Sequence, residues 1–245
     1  MLLIDIGNTR IKAALVEGGQ PRMLPALGTR DHAPFSAWQD AIAARPSRVL
    51  VSNVAGPEMA MHVLRYTRER WQLEPEFALP CRKRAGMTTR YRHPEKLGVD
   101  RWLAALAAWH EARGAVCVCD VGTALTIDVV TSDGTHLGGL IAPGPDLLRT
   151  SLTRGTAQLE SDGLSLVQGF ADNTRDAISL GCTDALGGLL QRVAARLAEH
   201  EPHEEFRWYL TGGAAPLMEA LLPAPAVHLP DLVLRGLAVL AMADA

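Results

Sequence analysis

The chain has 245 residues, 48% hydrophobic and 21% charged, with a formal net charge of -3. That is apolar material for one large domain or two ordinary ones, and the charge balance gives no reason to expect nucleic acid or an anionic membrane as a partner. No apolar run approaches the length of a membrane span, no signal-like run precedes the first strand, and the four cysteines lack zinc spacing, so the expected compartment is the cytoplasm.

The first apolar run, residues 2–4, leads into Asp5-Ile6-Gly7-Asn8-Thr9 and is followed by a second run at 11–16. This spacing predicts a strand, a tight turn and a strand. Gly7 leaves no side chain between the backbone and a ligand. Asn8 and Thr9 supply donors, and Asp5 can hold a cation that a polyphosphate brings with it. Downstream, 35–44 has the spacing of a short amphipathic helix, 49–51 reads as a strand, Gly56-Pro57 opens a helix to about Trp71, and 77–79 reads as another strand. Residues 81–96 are polar and basic with neither period, and the Arg82, Lys83, Arg84 and Arg90 cluster reads as a solvated loop. Apolar residues at helical spacing follow from Val99 to about Arg113, with Gly114 where a C-terminal cap is preferred.

The opening device then returns in altered form. Cys117 and Cys119 lie in a strand-like run that leads into Asp120-Val121-Gly122-Thr123-Ala124, and a further run follows at 125–130. A single Asp-x-Gly-x-Thr would read as an ordinary hairpin, because these are turn residues. Two copies, each between apolar runs and about half a chain apart, point to a nucleotide-phosphate site. Helices are expected at 146–153, from Asn173 or Thr174 to about Ala198, and at 231–243, with a strand at 208–210 running into Thr211-Gly212-Gly213. The organisation expected is two related α/β lobes, 1–114 and 115–245, with the ligand cleft between them.

The irregular segment ends in Tyr91-Arg92-His93-Pro94-Glu95-Lys96-Leu97-Gly98-Val99-Asp100-Arg101. Gly98 leads into a helix whose first turn holds Asp100 and Arg101. Taken singly, Asp100 is a helix-start carboxylate favoured by the dipole, and Arg101 a surface ion pair. Together they supply a carboxylate able to accept a proton and a guanidinium suited to a carboxylate ligand, beside a hydroxylated aromatic. A phosphotransferase needs such parts: an acceptor hydroxyl held in line with the terminal phosphate, a base for its proton, and donors for the developing charge. Asp100 is the expected base.

The ordered set Asp5-x-Gly7-Asn8-Thr9, Tyr91-x-x-Pro94-x-x-Leu97-Gly98-x-Asp100-Arg101, Asp120-x-Gly122-Thr123-Ala124-x-Thr126 and Gly138-Gly139-x-Ile141-x-Pro143-Gly144 resembles the bacterial type III pantothenate kinases. The Gly turns are shared across the wider kinase, actin and heat-shock-chaperone superfamily; the Leu-Gly-x-Asp-Arg element is the specific one. The resemblance implies two ribonuclease-H-like lobes of the sugar kinase/actin type and ATP-dependent phosphorylation of pantothenate, the first step of coenzyme A synthesis, in a cytoplasmic homodimer. It further implies that Asp5, Ile6, Gly7, Asn8, Thr9, Arg10, Ile11, Lys12 and Thr123 bind ATP with its magnesium. Tyr91, Gly98, Val99, Asp100, Arg101 and Thr174 would bind pantothenate, with Asp100 as proton acceptor, and Asp120 would hold a monovalent cation, potassium or ammonium. Gln158-Leu159-Glu160 departs from the pattern in lacking a proline. Another small-molecule kinase on the same lobes, or a non-catalytic regulatory relative, remains open at this point.

Overall fold

In the computed structural model, residues 1–18, 20–31, 34–38, 40–155 and 163–243 are described; the Gln158-Leu159-Glu160 departure lies outside them. The chain divides into two units, Met1–Glu111 with Asp231–Ala245, and Ala112–Pro230.

In the first unit, β1 (Leu2–Ile6) and β2 (Arg10–Glu17) form an antiparallel hairpin. β3 (Gln20–Met23) and the two-residue β4 (Leu27–Gly28) add antiparallel to β2, while β5 (Val49–Asn53) pairs parallel with β1. Next comes α1 (Pro57–Trp71), which starts at Gly56 with a proline at its first position, as helix starts favour. Its buried residues Met59, Val63, Thr67 and Trp71 recur every four positions, and the apolar three join a core with Leu2, Ile4, Ile6, Val49 and Val51. Strand β6 (Glu76–Phe77) pairs parallel with β5, giving the order β3-β2-β1-β5-β6. A small hairpin, β7 (Lys83–Arg84) and β8 (Met87–Thr89), precedes α2 (Val99–Ala112).

The second unit repeats this scheme. β9 (Val116–Val121) and β10 (Ala124–Val130) form the hairpin, and β11 (Thr135–Pro143) pairs antiparallel with β10. After α3 (Pro145–Gly155) and α4 (Thr174–His200), β12 (Arg207–Thr211) pairs parallel with β9; α5 (Ala215–Glu219) follows, and β13 (Ala226–His228) pairs parallel with β12. The resulting order, β11-β10-β9-β12-β13, matches β3-β2-β1-β5-β6 strand for strand. The duplicated turn therefore belongs to a duplicated sheet. One face of the second sheet packs Cys117, Cys119, Leu125, Ile127 and Val129 against Leu186, Leu190 and Val193 of α4. Burial holds the Cys117 thiol well above its ordinary range, and neighbouring Cys119 adds to the effect, so Cys117 behaves as a small hydrophobe.

The opposite face of β10 carries a buried polar pair. His136 Nε2 lies 3.0 Å from Asp128 Oδ1, and both residues are almost wholly shielded from solvent. A bulge makes this possible: Val129 pairs with Gly138 but Val130 pairs with His136, which leaves Leu137 as the extra residue and turns His136 to the Asp128 side.

Several expectations need correction. The C-terminal helix α6 (Leu232–Ala243) groups with the first unit, where it packs on β1, β2 and β5, so the second unit ends before it rather than running through 115–245. The helix expected at 35–44 is a 3-10 turn at Pro34–Trp38. Trp38 is buried and donates from Nε1 to the Pro25 carbonyl at 2.8 Å, and an Ile42 N–H to Trp38 carbonyl bond buries Ile42 without a regular helix. Strand 77–79 stops at Phe77; Leu79 is exposed on a short edge ahead of Pro80. Part of 81–96 is a hairpin whose turn residues, Ala85 and Gly86, both have positive φ, the conformation a two-residue hairpin requires. At the end of α2 the left-handed residue is Arg113, one position before the expected Gly114.

Helix α4 starts where the sequence predicts and runs to His200. Of its apolar residues, Ile178, Leu186, Leu190 and Val193 are buried and Leu180, Leu189 and Leu197 are partly so. The outward face is lined by the small residues Ala177, Gly181, Ala185 and Gly188.

Candidate active site

The first turn sits at the carboxyl end of β1. The Gly7 N–H donates to the Arg10 carbonyl at 3.0 Å, closing the hairpin tightly and leaving Asn8 and Thr9 exposed at its tip. Asp5 and Lys12 are direct partners across the β1–β2 ladder, so their half-buried side chains leave the sheet on the same face. Ile6 and Ile11, the next pair, are fully buried and anchor the turn to the core. Arg10 is exposed where β2 begins. A polar cavity of about 400 Å³ opens beside this turn, with Asn8, Thr29, Arg30, Glu58 and His62 among its walls.

The second cluster lies where the chain enters α2. The Trp102 N–H donates to the Gly98 carbonyl at 3.0 Å, which makes Val99 the first helical residue and sets Asp100 and Arg101 in the first turn, as the sequence predicts. Asp100 Oδ1 accepts the Arg101 N–H at 2.8 Å, so its carboxylate folds back over the helix start. That fold-back needs Gly98: a β-carbon there would lie 2.7 Å from Asp100 Oδ1. Arg101 is not the surface residue that an ordinary ion pair would leave; it is only 7% exposed. Its Nη1 donates to the Tyr91 hydroxyl at 3.2 Å, and its guanidinium carbon lies 5.9 Å from the Tyr91 ring centre, within cation–π range. Tyr91 thus holds the guanidinium in one place, and four candidate acceptor residues, Tyr91, Gly98, Asp100 and Arg101, form one group with Val99 buried beneath it.

In the second unit, Gly122 donates to the Ala124 carbonyl at 2.9 Å and closes the second turn, with Thr123 exposed at its tip. The Gly144 N–H ties the start of α3 to the Thr123 carbonyl at 3.0 Å. Asp120 precedes the turn on β9 and faces Thr126 and Thr211 in register on its two sides. Gly212, with φ of 94°, presses its backbone against Asp120: a β-carbon there would lie 2.6 Å from Oδ1. Thr174 is exposed as the first residue of α4, after the N-cap Asn173, whose Oδ1 accepts the Asp176 N–H at 3.0 Å.

Among the described residues no cluster of three or more His, Cys, Asp or Glu could hold a metal by itself. Magnesium that arrives on a polyphosphate is held by one or two carboxylates together with phosphate oxygens. Asp5 and Asp120 offer oxygen donors of that kind. A separate apolar hollow of about 210 Å³, walled by Ile127, Leu140, Val193 and Leu197, contains none of the candidate residues. A contact that sequence reasoning missed is Thr29, which follows the two-residue strand β4 and bonds directly to the first turn.

Residues 1–196 match the family described as type III pantothenate kinase. The type III pantothenate kinase of Aromatoleum aromaticum is 40% identical over 248 residues, covering 100% of this chain and 99% of its own; that of Nitrosococcus oceani is 38% identical over 249 residues, covering 97% and 92%. Among solved structures, a Campylobacter jejuni protein described as a Baf family transcriptional activator aligns with a TM-score of 0.61 at 21% identity, covering 100% of this chain and 98% of its own. The activator of the 2-hydroxyisocaproyl-CoA dehydratase from Clostridium difficile, solved with bound ADPNP, aligns at 0.53 and 11% identity, covering 99% and 93%. These two likenesses concern the fold, which is that of the sugar kinase and actin-like ATPases. With the family match spanning most of its length and close relatives along all of it, the chain belongs to the type III pantothenate kinases.

Proposed function

We propose that the chain transfers the terminal phosphoryl group of ATP to the hydroxyl of pantothenate, giving ADP and 4'-phosphopantothenate, the entry step of coenzyme A synthesis. The observation that carries this reading is the buried Arg101, clamped by Tyr91 beside Asp100 at the start of α2. A fixed guanidinium recognises a carboxylate in the plane of its fork, and pantothenate is a hydroxy acid with a carboxylate for Arg101 and an alcohol for Asp100.

In the reaction, Asp100 accepts the proton of the attacking hydroxyl as the new O–P bond forms and the bond to ADP breaks. Residues Asp5 to Lys12 and Thr123 hold the phosphates: backbone and side-chain donors of Asn8, Thr9 and Thr123 meet their oxygens, and Lys12 adds positive charge. Magnesium, when bound with ATP, neutralises charge on the transferred group. Asp120 is the candidate carboxylate for a monovalent cation, potassium or ammonium, with Gly212 leaving room for its oxygen. Thr174 is a pantothenate contact supplied within a homodimer, the small-residue face of α4 permitting close approach of a second copy.

ADP release measured by a coupled assay tests this directly. ADP should form only when pantothenate is present, and potassium should raise the rate where sodium does not. Sedimentation of the same sample should give twice the chain mass. ADP release from another alcohol at the same rate would assign a different acceptor.

A further inference from the structure

We infer that Thr29 is a positioning residue of the first phosphate turn. It makes two hydrogen bonds to that turn from outside the hairpin. Its Oγ1 donates to the Gly7 carbonyl at 2.8 Å, and its backbone N–H donates to the Thr9 carbonyl at 3.1 Å. These two carbonyls bracket Asn8. The Gly7–Asn8 peptide is planar and trans, so its C=O and N–H point in opposite directions. By fixing the Gly7 carbonyl, the Thr29 hydroxyl therefore fixes the direction of the Asn8 N–H, a donor at the tip of the turn.

The local structure supports this as a device for the turn. β4 is only two residues long and pairs with β2 at Arg10 and Ile11, immediately after the turn. Thr29 follows it directly and extends the pairing across Thr9. Beyond Thr29 the chain bends back, with the Gly28 N–H donating to Asp31 Oδ2 at 2.9 Å and the Asp31 N–H to the Gly28 carbonyl at 3.2 Å. Thr29 is thus held at the end of a closed loop while it grips Gly7. An exposed Gly-containing turn without such a brace would sample many conformations, and ordering it would oppose ligand binding. Thr29 removes that ordering cost in advance and need not touch the nucleotide.

This inference rests on the assignment of the first turn to the nucleotide phosphates. The test is calorimetric binding of magnesium–ADP, with two-substrate kinetics, on Thr29→Val and Thr29→Ser. Valine keeps the branched shape and the backbone bond but removes the hydroxyl. Thr29→Val should weaken magnesium–ADP binding and raise the KM for ATP together, by about three- to tenfold, the usual worth of one hydrogen bond. Its KM for pantothenate should stay near wild type. Thr29→Ser, which restores the donor, should bind as wild type does. Wild-type nucleotide affinity in a folded Thr29→Val protein, or a Thr29→Ser protein as weak as the valine one, would overturn the proposal. Lys12→Ala separates the two levels: if it too leaves magnesium–ADP binding unchanged, the first-turn assignment itself fails.

Discussion

Asp100→Asn should retain nucleotide binding and lose phosphoryl transfer by about two to four orders of magnitude, the usual worth of a positioned base. The substitution isolates chemistry from structure. Asparagine has the same shape, and its amide oxygen can still accept the Arg101 N–H that Asp100 Oδ1 accepts at 2.8 Å. The helix start therefore survives while the proton acceptor does not. Single-turnover kinetics with prebound ATP, alongside calorimetric nucleotide binding, gives the two readouts. A near wild-type rate would reduce Asp100 to a residue that orders the first turn of α2.

The buried pair in the second unit should produce the largest loss of stability. Asp128 and His136 meet at 3.0 Å with almost no exposure, so removing one member takes a buried hydrogen bond from the other. Asp128→Ala or His136→Ala should cost about 1 to 3 kcal/mol in unfolding free energy, the usual cost of breaking a buried hydrogen bond. Replacing both together by Val and Leu should recover most of that loss, because exchanging both partners of a buried hydrogen bond for apolar groups can be nearly neutral. Urea unfolding of the two single variants and the double variant closes the cycle. If the singles cost less than about 1 kcal/mol, the pair is not what holds the β10–β11 register at the bulge.

Much of this was legible in the sequence because repetition and helical period are strong signals. Both Asp-x-Gly devices fall on hairpin turns, and α1 and α2 begin where Gly56-Pro57 and Gly98 announce them. The contact between Tyr91 and Arg101 was implied only by their shared segment; nine residues lie between them, including the 3-10 turn Pro94–Lys96 and the start of α2, and tertiary packing brings the two side chains together. Elements set by long-range pairing were not readable. β4 has two residues, too few for any period, so Thr29 gave no signal although it bonds to Gly7 from 22 residues away. The 3-10 turn at Pro34–Trp38 kept the apolar spacing of a helix because Phe35, Trp38 and Ile42 share one core, which constrains burial but not helix type. The unit to which α6 belongs was equally hidden: an apolar C-terminal helix reads the same whichever sheet it covers.

The most direct measurement compares pantothenate with its neutral amide analogue in the wild type and in Arg101→Lys. Arg101 is buried and held by Tyr91, so it presents a fixed fork that lysine cannot reproduce. Arg101→Lys should raise the KM for pantothenate by an order of magnitude or more, on the order expected for a lost charge-assisted pair, while the KM for ATP barely moves. Replacing the acid with the amide should penalise the wild type heavily and the variant little. Equal penalties in both proteins would contradict the account: Arg101 would then be structural, and the pantothenate carboxylate would be read elsewhere.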